Sequence, residues 1–166
     1  MNYLTEHGLL EYAVLEEKAA AATTRHNELS AQIKAAETRM AEIAVLRTHI
    51  INYAKTREVY VAYRKAGYSK KFLEGHREAV TLHKAAKEAF EQLGLKKLPR
   101  VKELNAEYAQ LLEQKRAAYP AYRKARTEMQ EYLVAQKVAA VLLEKEKEQS
   151  AMEEQHKEEQ RTDQHR

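Results

Sequence analysis

Between Leu9 and Ala66, apolar residues recur at alternating steps of three and four, and the run of 58 residues holds no proline or glycine. That period belongs to a helix burying one narrow seam against a partner. Leu15, Ala19, Ala22, His26, Leu29, Ile33, Ala36, Met40, Ile43, Arg47, Ile50, Ala54, Arg57 and Val61 keep the spacing, which only the histidine and the two arginines interrupt. Near Ile43 a second stripe of Leu46, Ile50, Tyr53 and Tyr60 takes over, because a straight helix drifts against a strict heptad. The wider face predicts a third helix joining the pair around Leu46 to Tyr63. At 1.5 Å per residue such a helix would be about 87 Å long, so the pattern predicts a rod.

Gly67 supplies a helix stop and Ser69 a cap for the next start, which predicts a second helix over about 69–93 with Gly75 as an interruption and Gly94 as its end. Pro99 marks the start of a third long helix. Its seam is Val101, Leu104, Tyr108, Leu111, Lys115, Ala118, Tyr122, Ala125, Met129, Tyr132, Gln136, Ala139 and Leu143. Pro120 removes one backbone hydrogen bond, but the seam keeps its register across it, so a kinked, continuous helix is expected. The expected organisation is a lead-in over 1–8, a long helix over 9–66, a helical insert over 67–99, a long helix over 100–148 and a charged tail over 149–166. The tail has no seam and reads as either frayed, solvated helix or disorder.

The two long helices are nearly equal in length, so each can cover the other end to end. The expected fold is all-α: an elongated antiparallel hairpin or coiled coil with a short helical insert at its tip. The alternative is a staggered three-helix bundle whose third helix runs parallel to the first; it leaves half of each long helix for a second molecule and predicts a homodimer. The segments REVYVAYRKA (Arg57 to Ala66) and RAAYPAYRKA (Arg116 to Ala125) match at seven of ten positions. The bundle would set Tyr60 beside Tyr119, whereas the hairpin would part them by about 20 Å along the axis. Duplication and coincidence both account for so short a match.

Composition agrees with a helical chain: glycine occurs four times and proline twice in 166 residues. With no cysteine there are no disulfides, thiolate metal sites or cysteine nucleophile, which fits a reducing compartment. The N-terminal segment lacks the basic and apolar regions of a signal peptide, and no stretch is apolar for the roughly 18 residues of a membrane span. The expectation is a cytoplasmic protein with no membrane role.

The net charge of +4 conceals a polarity. Residues 1–46 hold 4 Lys/Arg against 7 acids, residues 47–137 hold 20 against 10, and residues 138–166 hold 5 against 8. A basic excess in the middle of the chain would draw anionic partners there, nucleic acid first among them, although a lysine-rich helix can equally be a solvated face. The candidate nucleic-acid contacts are Arg64, Lys65, Tyr68, Lys70 and Lys71 around the first helix corner, and Arg123, Lys124 and Arg126 in the second tyrosine-basic segment. Lysine and arginine would neutralise phosphates, and tyrosine rings could stack on unpaired bases. Tyr53, Tyr60, Tyr108 and Tyr132 read instead as core residues whose hydroxyls reach water.

Catalytic patterns are not found. Glu153 and His156 make a single Glu-x-x-His in the polar tail, whereas a di-iron bundle needs two such pairs with further carboxylates. His76 and His83 share a predicted helix face without a third ligand and read as boundary residues of the insert. No phosphate-cradling glycine loop or Gly-x-Ser-x-Gly occurs. No metal or other cofactor is expected, and no enzymatic activity.

Three stretches are more idiosyncratic than heptads: THIINYAKTREVY, YRKAGYSKKF and LGLKKLP. With NYLTEHGLLEY and the flanking helical sequence, from Asn2 to about Leu143, they resemble the C-terminal helical region of relaxases, the mobilisation nucleases carried by conjugative elements of Gram-positive gut bacteria. Relaxases of this kind nick one strand at a transfer origin with a tyrosine nucleophile and a histidine-bound metal in an N-terminal domain. No segment here matches that histidine cluster, and none of the ten tyrosines can be assigned as nucleophile. The resemblance therefore implies a non-catalytic arm, excised from a larger protein or an orphan remnant of one, that holds DNA or docks conjugation and mobilisation proteins. The rival expectation is a structural coiled coil that dimerises or recruits a protein and has no nucleic-acid role.

Overall fold

A computed structural model describes the backbone of residues 3–164 and the side chains of residues 6–164; Met1, Asn2, His165 and Arg166, the outermost parts of the expected lead-in and tail, lie outside the described residues. The elements are α1 (Tyr3–Lys65), α2 (Lys70–Gly75), α3 (Arg77–Gln92) and α4 (Val101–Gln164), with no strand among the described residues. The all-α expectation holds. The insert is two helices divided at Gly75, and α4 passes through Pro120 without a break.

The N-terminal end carries more helix than expected. The lead-in is already helical at Tyr3, because an isolated Gly8 only weakens a helix and serves here as a point of close approach. A Cβ at Gly8 would lie 2.9 Å from Cδ2 of Leu143 on α4. The tail is helical to Gln164 and exposed apart from the half-buried Ser150, so it is solvated helix rather than disorder. Its Glu, Lys, Gln, Arg and Ala residues are good helix formers that need no seam to hold the conformation.

Two glycines stop helices by the same device. At Gly67 (φ 67°) the amide donates to the Arg64 carbonyl at 3.0 Å and Tyr68 N–H donates to the Tyr63 carbonyl at 3.1 Å. At Gly94 (φ 64°) the equivalent bonds run to Glu91 at 3.0 Å and from Leu95 to Phe90 at 3.2 Å. The pair of bonds satisfies carbonyls that a helix end leaves orphaned, and the left-handed φ it requires is the one glycine adopts without a Cβ penalty.

The chain divides into two compact units, residues 32–117 and residues 1–31 with 118–166. In the first, Arg39 meets Glu107, Glu37 meets Lys115 and Arg47 meets Asn105, so partners fall along α4 as numbers rise along α1. That is the antiparallel hairpin, not the bundle with a parallel third helix. Arg39 grips Glu107 with two guanidinium nitrogens, at 2.7 and 3.2 Å, which fixes the register. Ile43, Leu46, Ala86, Phe90 and Leu104 form the core here, with Ile50, Tyr53, Leu95, Leu98, Tyr108 and Leu111 packed around it. The third helix expected beside Leu46 to Tyr63 is α3, which buries Val80, His83, Ala86 and Phe90.

In the second unit α1 and α4 run antiparallel as well, with His26 stacked obliquely on Tyr122 (centroids 5.2 Å apart) and Gly8 against Leu143. Among the described residues its buried hydrophobic ones are Ala19, Ala22 and Ala125. Small side chains at the seam let two helices approach closely, but they bury little apolar area.

Candidate nucleic-acid interface

The first group of candidate residues surrounds the corner between α1 and α2. Gly67 and Tyr68 are consecutive left-handed residues, and Tyr68 (φ 58°) is the one non-glycine with positive φ among the described residues. A tyrosine there is strained by roughly 1 kcal/mol or more. Contacts to the buried Tyr63 hold it: the Tyr68 ring meets it edge-on at 5.3 Å, and Phe72 leans on it at 6.0 Å. Ser69 then caps α2, its Oγ accepting from Phe72 N–H at 3.5 Å. The corner thus turns on an aromatic anchor, while Arg64, Lys65, Lys70, Lys71 and the Tyr68 ring stand in solvent.

None of those four cations is neutralised. The ion pairs among the described residues join His7 to Glu11, Arg39 to Glu42 and Glu107, and Lys115 to Glu37, and none lies at this corner. Over residues 55–102 there are 13 Lys/Arg against 5 Glu. α3 adds two cations that sequence reasoning missed. Lys84 sits over the Tyr63 ring at 5.6 Å and Lys87 over Tyr60 at 5.3 Å, both exposed. Their spacing of three on the polar face of α3 was legible, but only the fold shows that this face borders the corner.

The tyrosines split between structure and solvent. His83 is stacked between Tyr53 and Tyr60, with centroids 4.6 and 4.3 Å away and rings within 19° of parallel. Tyr53 also meets Phe90 edge-on. Tyr108 lies beneath the Arg47 guanidinium at 5.7 Å, and Tyr132 is half-buried on the α4 seam. These four fit the core role expected of them, and Tyr63 joins them. Tyr68, 54% exposed, is the ring at the corner left free to meet a base.

The histidines correct the sequence reading. His83 is no boundary residue but a buried one (3% exposed), and His76 stands apart at the α2–α3 junction with its ring stacked on Phe72 at 4.3 Å. Thr56 donates its hydroxyl proton to the Asn52 carbonyl at 2.6 Å, so its Oγ1 accepts from His83 Nδ1–H at 3.0 Å. Burial pushes the His83 pKa below its ordinary value, and the charges of Lys87 and Arg57 push the same way. The imidazole is therefore neutral at pH 7, a polar wedge in an aromatic stack.

Arg123, Lys124 and Arg126 belong to the other unit, exposed on α4 just after Pro120 and without a carboxylate partner among the described residues. Arg123 lies over the Tyr119 ring at 4.7 Å. The eight candidates thus form two groups, five at the corner and three on α4. At the α2–α3 junction an open groove of about 340 Å³ is lined by Asn52, Lys55, His76, Arg77 and Glu78 among others. Among the described residues no group of three or more His, Cys, Asp or Glu is placed to hold a metal ion, and no helix is long and apolar enough to cross a membrane. No protein-family model matches this chain, nor does any curated protein or solved structure. The likeness to relaxases therefore rests on the sequence segments alone.

Proposed function

We propose that the chain is a non-catalytic helical module that holds DNA through the corner between α1 and α2, as the accessory arm of a mobilisation nuclease would. The observation that carries this reading is the set of six exposed cations, Arg64, Lys65, Lys70, Lys71, Lys84 and Lys87, with no carboxylate paired to any of them among the described residues. Unpaired surface cations forfeit no ion pair when phosphates arrive, and each phosphate contact releases condensed counterions.

The arrangement favours backbone over base recognition. Tyr60 and Tyr63 are committed to packing, so at the corner stacking on unpaired bases falls to Tyr68. Phosphate contact carries no sequence information, so the module would position DNA while sequence selection lies with another domain or protein. Fluorescence polarisation with labelled duplex and single-stranded oligonucleotides tests the reading. Replacing Arg64, Lys65, Lys70 and Lys71 together with glutamine should weaken binding by about tenfold or more while leaving the circular dichroism spectrum unchanged. Equal affinity of wild type and variant would refute it.

A further inference from the structure

Residues 132–143 of α4 read YLVAQKVAAVLL, and all but Gln136 and Lys137 are apolar. A helix that is apolar on every side calls for partners on more than one side. Here only Tyr132, Ala135, Gln136, Ala139 and Leu143 are half-buried, on the side where Gly8 of α1 approaches Leu143. On the opposite side Val134, Val138 and Val141 follow at steps of four and three and remain 61%, 54% and 55% exposed. Leu142 flanks them at 57%, and Met152 lies further along the helix at 71%. The spacing is again that of a coiled-coil seam, this time without a partner.

We infer that this outer stripe of α4 is a self-association seam that pairs antiparallel with the same stripe of a second copy, about a two-fold axis close to Val138. Two observations select a second copy. The first is area. Val134, Val138, Val141 and Leu142 expose on the order of 400 Å² per chain, so two copies would bury roughly 800 Å² of apolar surface, which the flanking polar side chains bring toward the roughly 1,000 Å² of a specific interface. An apolar patch of a few hundred Å² is of the size that marks an interaction surface.

The second is charge. Continuing the stripe by one step at each end reaches Glu131 and Lys145, both exposed and unpaired among the described residues. They lie equally far from Val138, seven residues either way. In an antiparallel pair Glu131 of each chain faces Lys145 of the other, Val134 faces Val141 and Leu142, and Val138 faces itself. A parallel, in-register pair would instead oppose Glu131 to Glu131 and Lys145 to Lys145, which is repulsive at both ends. An isologous contact of this kind closes on itself and stops at a dimer.

The test uses the full chain, whose lack of cysteine makes single-cysteine variants clean probes. Sedimentation or light scattering should give a dimer at tens of micromolar, and Val138→Glu should give a monomer with unchanged helicity. Under oxidation Val138→Cys should form a disulfide-linked dimer. Glu131→Cys alone should not, whereas the double variant Glu131→Cys, Lys145→Cys should. A wild-type monomer at these concentrations, a dimer indifferent to Val138→Glu, or efficient cross-linking of Glu131→Cys to itself would overturn the proposal.

Discussion

The two units are built from the same two helices, yet one adds α3 and the other adds nothing, and their buried residues differ accordingly. Residues 32–117 bury Ile33, Met40, Ile43, Leu46, Tyr63, Val80, Phe90 and Leu104 besides Ala36 and Ala86; among the described residues the other unit buries Ala19, Ala22 and Ala125. A third helix lets bulky side chains be enclosed, whereas two helices alone bring small residues together and leave Val134, Val138, Val141 and Leu142 in water. The bulkier core thus lies in the unit that carries the corner, with its central cluster at Ile43 and Leu46 about 27 Å or more along α1 from Arg64 and the buried Tyr63 at the corner itself.

Truncation breaks the comparison most sharply. Phe90→Ala removes a ring from the central cluster and should cost about 3–5 kcal/mol in denaturant unfolding, whereas Leu15→Ala, at a half-buried seam position, should cost roughly 1 kcal/mol. Similar costs at both sites would show that the units are equally packed. Hydrogen exchange offers the same contrast without mutation, with slower exchange expected at Ile43 and Leu46 than at Ala19 and Ala22.

The next effect is conformational. Gly94→Ala places a Cβ at a left-handed φ where nothing lies within 4 Å, so its cost is backbone strain alone, about 1–2 kcal/mol in the same unfolding assay. A neutral result would mean that the helix end relaxes to another cap.

A third prediction concerns His83. Its folded-state pKa is lowered, chiefly by burial, so below its ordinary 6.5 the unfolded chain binds more protons than the folded one. Stability contributed by this residue is complete above that value and declines as pH falls toward the folded-state pKa. Thermal melts between pH 7.5 and 5.5 should show the decline, and His83→Phe, which keeps an aromatic wedge between Tyr53 and Tyr60, should flatten it. The smallest effect is expected at Gly8→Ala, where the gain in helix propensity opposes displacement of the flexible Leu143 end, leaving the melting temperature nearly unchanged.

Much of this architecture was written in the spacing. Every residue assigned to the α4 seam is buried or half-buried, and on α1 the handover to a second stripe happens where drift against the heptad places it, with Ala54 and Arg57 turned outward while Tyr53, Thr56 and Tyr60 turn inward. What spacing concealed were polar groups made apolar by pairing. Thr56 and His83 are 27 residues apart, and neither reads as core until the hydrogen bond between them is known. Lys84 and Lys87 were hidden for the converse reason, since ordinary helix-surface lysines acquire significance only when α3 folds beside Tyr60 and Tyr63. The cations at Arg64, Lys65, Lys70 and Lys71 were visible in the chain, but their freedom from carboxylates was not.

That freedom is the central claim, and the salt dependence of DNA binding tests it most directly. For wild type, the logarithm of the association constant should fall steeply and linearly with the logarithm of salt concentration. With Arg64, Lys65, Lys70 and Lys71 changed to glutamine the slope on duplex should shrink by up to about 3.6, or roughly 0.9 for each phosphate left without its cation. A shallow slope for wild type, or the same slope for both proteins, would contradict the account.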